Sequence, residues 1–355
     1  MTPTMKALLV TTLLLLPTLV QAQIFRLQRT NDMGAAVNAV FDAEILKIQN
    51  KINQDLPAAE PKRLMEGMAN SQAAAGKGSA TDYITHFETV AIGAGVGLGA
   101  DLEKNKEFDS DLSGAGVMGS VQLGLNMAAF ADNTFLGMDP KRLTVMANFF
   151  KFDLDRDFDD NNVKADLISF GFNGSYKWID GNGNRLFGWD GVRLHSGYQY
   201  SSAKLNFKSK IDENVNETSA GSTITGQITA NPTASIDTST HSIPLEISSG
   251  VNFLWVMSFY GGVATDINFG QAQGKGDLNA TPSTLNCTNG VCGGGQTANV
   301  QASADINEKG RVNPLFLRGF AGLQLNLPYV RVFAHANKVF GTEVYSFATG
   351  LRLAF

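Results

Sequence analysis

The chain has 355 residues, 17% of them charged, and a formal net charge of −5. No Lys/Arg block stands out, so composition excludes a basic face of the kind that binds nucleic acid. Mean hydropathy is near zero, a value that a soluble domain shares with a barrel having one apolar and one polar face.

At the N-terminus, Lys6 precedes an apolar run, Ala7–Val20, which gives way to Gln21-Ala22-Gln23. A charged start, a short apolar core, and Val20 and Ala22 at the −3 and −1 positions read as a signal peptide cleaved after Ala22. The run falls short of the roughly 20 residues a transmembrane helix needs. No other long apolar run follows. An exported chain of this kind can enter a membrane only as a closed barrel, because lipid leaves free backbone groups unsatisfied.

The expected division is 1–22 signal peptide, 23–83 helical and linker segment, and 84–355 barrel. Within the second, Val37, Val40, Phe41, Ile45, Ile48, Ile52 and Leu56 recur at three- and four-residue steps, which predicts an amphipathic helix. Pro57 and Pro61 are expected to end it, and KRLMEGMANSQAAAGKGSA reads as a small-residue linker. This segment is expected either in the periplasm or as a plug.

From about Phe87 the period changes to two. In Ile168–Trp178 one face is Ile, Phe, Phe, Gly, Tyr, Trp and the other Ser, Gly, Asn, Ser, Lys. Leu315–Leu327 splits in the same way, as do the stretches near 90–100, 115–125, 143–152, 190–200, 243–253, 257–269, 329–337 and 343–355. About ten such segments (eight to twelve), each long enough for a tilted strand, predict an all-β, antiparallel transmembrane barrel. Arg193, His195, Glu246, Asp266, Arg318, Arg331, His335 and Arg352 fall opposite the apolar faces and are expected to point into the lumen. The glycine-rich stretch AIGAGVGLGA, Ala91–Ala100, lacks the Lys-Ser/Thr of a phosphate loop and fits a strand with a crowded face.

If the first strand rises from the periplasm, the long polar connections 208–238 and 271–308 both fall outside, as barrel loops should. Trp178, Trp189, Trp255 and Tyr329 then cluster at the periplasmic edge as an aromatic girdle, with Tyr198 and Tyr200 nearer the opposite edge.

The last strand, Tyr345–Phe355, resembles the C-terminal targeting strand of Gram-negative outer-membrane β-barrel proteins: Tyr345, Phe347, Leu351, Leu353 and Phe355 share one face and the chain stops on Phe355. The resemblance implies residence in the outer membrane, contact with its lipid and lipopolysaccharide, and recognition of those residues by the barrel-insertion machinery.

Cys287 and Cys292, in CTNGVC, are expected to form a local disulfide in an exported chain. DLDRDFDD, Asp153–Asp160, begins like a calcium loop but has Phe158 where glycine is needed and Lys164 where a bidentate Glu belongs, so a solvated acidic loop is expected. His195-Ser196 and His241-Ser242 resemble the His/Ser pairs of barrel hydrolases, but adjacent strand residues face opposite ways. No enzyme activity, cofactor or metal is therefore expected. Three functional readings follow: a narrow or plugged porin-like channel, passing small solutes, or a structural envelope protein; a surface adhesin or recognition protein acting through 208–238 and 271–308; and a hydrophobic-solute transporter with the N-terminal helix as plug.

Overall fold

The structure is a computed structural model. It describes residues 26–29, 31–32, 35, 37–39, 41–43, 46, 61–79, 81–84, 87–102, 112–130, 134, 137–158, 161–183, 186–209, 211–219, 222–254, 256–280, 283–288, 296–303 and 305–355. The signal peptide, Trp255 and Cys292 lie outside these residues, and with them the expected disulfide; the backbone of Cys287 lies on a strand described below.

In chain order, β1 (Arg26–Arg29) is followed by α1 (Pro61–Ala75), β2 (Val90–Leu102), β3 (Leu112–Asn126), β4 (Leu143–Phe158) and β5 (Asn161–Gly183). Next come β6 (Phe187–Ser209), β7 (Ile211–Ser219), β8 (Ser222–Phe253), β9 (Met257–Ala280) and β10 (Ser283–Thr288). The last are β11 (Gln296–Ser303), β12 (Asp305–Arg311), β13 (Leu315–Leu327), β14 (Val330–Val339) and β15 (Val344–Ala354).

Ten of these strands close into an antiparallel ring in the order β2-β3-β4-β5-β6-β8-β9-β13-β14-β15. The seam runs from Val344 opposite Asp101 to Ala354 opposite Ala91. The ring is inside out relative to a soluble protein. Phe149, Phe172, Val121 and Leu315 point outward and are more than half exposed, at 59%, 57%, 55% and 57%. Arg318 and Asp266 are fully buried in the interior. A contiguous apolar outer belt of this extent needs lipid, because water would leave it a large exposed patch.

The belt has an aromatic rim at each end. At the end with the short turns and the C-terminus, Trp178, Trp189 and Tyr329 are exposed, and Tyr329 stacks on Phe355 at 6.2 Å. At the other end Phe149, Phe170, Tyr200, His241 and Phe269 stand directly opposite one another on five adjacent strands. The twelve steps from His241 to Phe253 on β8, at about 3.3 Å each and tilted by about 40°, span roughly 30 Å, the thickness of a bilayer core. The short turns mark the periplasmic end.

Three expectations need correction. The stretches 208–238 and 271–308 are largely strand, not loop: β8 and β9 stay paired up to Ala230 opposite Ala280, well beyond the belt. Above the ring, β1, β11, β10, β8 and β7 form an outer sheet, with Thr225 of β8 between Asn286 of β10 and Asn216 of β7. Cys287 sits in β10 opposite Ile224 and Gln296. The physical reason lies in runs such as STITGQITANPTASIDTSTHS, Ser222–Ser242, where β-branched Thr and Ile favour extended backbone while the outward face, with Thr233, Ser235, Asp237 and Ser239, is polar because it meets no lipid, and Ala234 and Ile236 on the other face are buried. Likewise the acidic stretch from Asp153, expected as a loop, is hairpin strand up to Phe158, which stands opposite Asn161; 159–160 lie outside the described residues.

The third correction concerns the N-terminal segment. Pro61 begins a helix instead of ending one, a position where its fixed φ and missing N–H cost nothing. KRLMEGMANSQAAA is helical through Ala75, and it lies inside the ring, packed on β2, β3, β9 and β12. In the predicted helix 37–56, residues 37–39, 41–43 and 46 are helical, with Val37 and Phe41 buried, and 47–56 lies outside the described residues.

Candidate functional site

The polar interior of the ring is the candidate site, and residues 61–79, 81–84 and 87 occupy it. Alternate glycines of β2 and β3 give α1 its berth. An added Cβ on Gly97 would stand 1.8 Å from the Ala75 carbonyl oxygen, and one on Gly99 would stand 2.0 Å from that of Ser71. Gly114 and Gly116 open the neighbouring strand in the same way toward Gly67 and Ser71. The crowded face expected of Ala91–Ala100 is this helix contact. Ser71 Oγ donates to Gly114 O at 2.9 Å, and Gln72 Nε2 donates to Val117 O at 3.0 Å.

Below the helix the chain turns at Gly78, whose φ of +81° suits glycine, and descends toward the periplasmic end. Each part of it meets a residue of the wall. Lys77 Nζ bonds Ser242 Oγ and lies 3.5 Å from Asp266 Oδ1. The Ser79 carbonyl accepts from Gln122 Nε2. Arg352 Nη2 donates to Thr81 O at 2.6 Å, and its Nη1 lies 3.4 Å from Asp82 Oδ1. Tyr83 OH donates to Glu246 Oε2 at 2.8 Å. Arg193 Nη2 donates to Ile84 O at 3.0 Å, and Asn126 Nδ2 donates to Phe87 O at 2.9 Å.

Tyr83 marks the centre. Its ring stacks on Tyr260 at 4.9 Å and on His335 at 5.1 Å, with Phe320 at 4.9 Å and His195 edge-on at 5.1 Å. Beside it Arg318 bridges three strands. Its Nε donates to Asp266 Oδ2 at 2.8 Å, its Nη1 to Asn337 Oδ1 at 2.6 Å, and its Nη2 to Glu246 Oε1. A guanidinium suits this place because its planar fork serves two carboxylates at once.

Of the eight predicted lumen residues, Arg193, His195, Glu246, Asp266, Arg318, His335 and Arg352 are buried inside the ring, and Arg331 is half-buried near its periplasmic mouth. The structure brings Glu246, Asp266 and Arg318 into one cluster and leaves Arg352 on a second, with Asp82 and Gln122. Sequence reasoning missed Lys77, Asp82 and Tyr83, which fell in the helical and linker segment 23–83. The usable signal was the helical spacing of Leu64, Met65, Met68, Ala69 and Gln72 after a proline.

Two features bear on chemistry. His195 Nε2 and Ser248 Oγ are 2.7 Å apart across adjacent strands, the distance of a base and a nucleophile. The other ring nitrogen, Nδ1, has no protein partner to orient it, and the pair is buried beneath Tyr83. The pairing of β6 and β8 lapses between Ser196–Leu245 and Gln199–Ser242, where Pro244 offers no N–H. Behind it lies a cavity of about 20 Å³, lined by Lys77, Asn148, Gln199 and Glu246 among others, room for about one water. Asn148 Nδ2 nearby is buried without a protein partner.

Above the bilayer, Asp155 accepts from Lys164 Nζ at 2.6 Å and from Asn162, and these bonds hold its carboxyl below its ordinary pKa. Asp157 also accepts from Asn162, at 2.6 Å. Among the described residues no three His, Cys, Asp or Glu side chains converge as metal ligands. No described helix is long and apolar enough to cross a membrane, which says nothing of strands.

A closed ring with a lipid-facing belt, an aromatic rim at each end and a polar, charge-paired interior is a transmembrane β-barrel of the outer-membrane type. The Lsa36-like family matches residues 19–355, and the chain belongs to it. Solved structures similar to the chain include the translocator domain of the autotransporter NalP from Neisseria meningitidis, at 14% identity over 76% of this chain and 90% of that one, with a TM-score of 0.31. Ail, the attachment invasion locus protein of Yersinia pestis, is similar at 10% identity over 76% and 99%, with a TM-score of 0.23. A Pseudomonas aeruginosa FadL homologue is similar at 9% identity over 82% and 98%, with a TM-score of 0.25. None of these likenesses assigns a role to a residue of this chain. Curated proteins provide no match.

Proposed function

We propose that the protein is a sealed barrel with no enzymatic activity, whose working surface is the outer sheet: a surface recognition protein anchored in the outer membrane. The observation that carries this reading is the occupied lumen, in which Tyr83 is 2% exposed and ringed by four side chains. A porin-like pathway would need an open bore. A ten-strand ring is only slightly wider than the eight-strand barrels that side chains fill, and here a helix and an extended segment take the remaining space. The plugged, structural form of the channel reading survives within this proposal, whereas a solute transporter requires residues 61–87 to move.

Purified protein in planar bilayers is expected to show no ion conductance, and steady single-channel currents from the intact chain would overturn the sealed reading. The recognition half has its own test. Removing residues 281–303 deletes β10 and β11 and leaves a short loop between Asp277 and Asp305, which already face each other. The variant is expected to keep the heat-modifiable gel mobility of a folded barrel. Against a panel of immobilised polysaccharides and extracellular proteins, the intact protein should bind and the variant should lose that binding. Equal binding by both, or none by either, would reject a recognition role for this sheet.

A further inference from the structure

The path of the chain through the ring has an origin outside it. Strand β1 pairs along β11, from Arg26 opposite Ser303 to Arg29 opposite Val300, in the sheet beyond the outer rim. Asn31 continues the attachment: its Nδ2 donates to Thr297 O and its Oδ1 accepts from Asn299 N, each at 2.9 Å. Residues 26–29 and Asn31 are therefore at the outer end. The chain then enters the ring from above. Met65 and Glu66 meet Gly274 and Gly310 of the strands above the belt, Ser71 and Ala75 meet Gly99 and Gly97, Tyr83 reaches mid-lumen, and Phe87 packs against Gly124 near Ala91 and Ala354 at the periplasmic end. Only there, at Val90, does the barrel begin, hydrogen-bonded to Phe355.

We propose that the lumen is the conduit by which the chain's own N-terminal polypeptide reaches the cell surface, so that the barrel displays outside whatever precedes Pro61. Residues 61–87 are the trailing part of that transit, left in place as the seal. The bore is cut for a polypeptide: Gly97, Gly99, Gly114 and Gly116 admit helical backbone at contact distance, and wall side chains bond the main-chain carbonyls of Ser79, Thr81, Ile84 and Phe87. A wall that grips backbone carbonyls can hold many sequences as they pass. The proposal rests on the path of the chain and on the orientation of the barrel, not on any ligand of the outer sheet.

Single cysteines in a Cys287→Ser, Cys292→Ser background test it in a Gram-negative host. Ala39→Cys lies at an exposed helical position on the N-terminal side of α1; Lys275→Cys reports the exposed part of β9 above the belt and Lys141→Cys the periplasmic turns. With a membrane-impermeant maleimide on intact cells, Ala39→Cys is expected to label like Lys275→Cys, and Lys141→Cys only after permeabilisation. An epitope placed immediately ahead of Arg26 should bind antibody on intact cells. Labelling of Ala39→Cys only after permeabilisation, or labelling of Lys141→Cys on intact cells, would overturn the proposal. The conduit itself is tested by giving that epitope a disulfide-closed loop too wide for the bore. Surface antibody binding should then be lost and return when the loop cysteines become serine. Undiminished display of the closed loop would show that the segment leaves by another route.

Discussion

Replacing Arg318 with methionine is expected to destabilise the barrel by about 3–5 kcal/mol, the cost of leaving buried charges without their partner. The guanidinium is 0% exposed and serves Asp266, Glu246 and Asn337 at once. Without it, Lys77 still lies 3.5 Å from Asp266, but Glu246 keeps only the hydroxyl of Tyr83 among its direct partners. The loss is therefore expected to centre on Glu246. Adding Glu246→Gln to Arg318→Met should restore much of the stability, because a neutral amide costs less to bury than an unpaired carboxylate. The measurement is the urea midpoint of unfolding in detergent, followed by tryptophan fluorescence. A single variant with an unchanged midpoint, or a double variant weaker than the single, would show that the cluster carries little of the fold's energy.

The second large effect concerns the glycine berth. Gly97→Val and Gly99→Val each place a side chain where the helix backbone stands, since even a Cβ would fall 1.8 Å or 2.0 Å from a carbonyl oxygen. Neither the helix backbone nor the strand can yield that distance by a change of rotamer. The strand is held in the ring on both sides, so α1 is expected to leave its place. The variants should conduct ions in planar bilayers where the parent does not, and Lys62 and Arg63 should become more accessible to trypsin. As a control, Gly174→Ala meets nothing closer than 3.7 Å and should behave as the parent. A silent Gly97→Val barrel would mean that the wall, not the helix, gives way.

How far the sequence was legible depended on how local each cause is. The ten ring strands could be read because one face of each meets lipid and the other the lumen, which writes a period of two into Ile168–Trp178 and Leu315–Leu327 alike. The lumen residues followed from the same parity. The stretches above the belt were misread because their outward face meets no lipid and so loses the apolar stripe that marks the ring strands; only the density of Thr and Ile in Ser222–Ser242 marked them as extended. Helix α1 was misread for the opposite reason. Its Gly67, Ser71, Ala74 and Ala75 are small because a wall stands at backbone distance, and a run of small residues looks like a linker until the wall is known. Pairs such as Asp82 with Arg352, Tyr83 with Glu246 and His195 with Ser248 join residues far apart in the chain, and only the closed register brings them together.

The seam between β2 and β15 also governs time. Because the ring closes by joining its first strand to its last, it shuts only when the whole barrel sequence is present, a slow kind of closure dominated by distant contacts. Once shut, it encloses a chain tied above, through β1, and below, through Val90. The seal therefore has no dissociation step of its own: one end would have to be dragged through the bore, or the seam would have to open. Its lifetime is then the unfolding lifetime of the barrel, set by a kinetic barrier and not by the affinity of the lumen for what fills it.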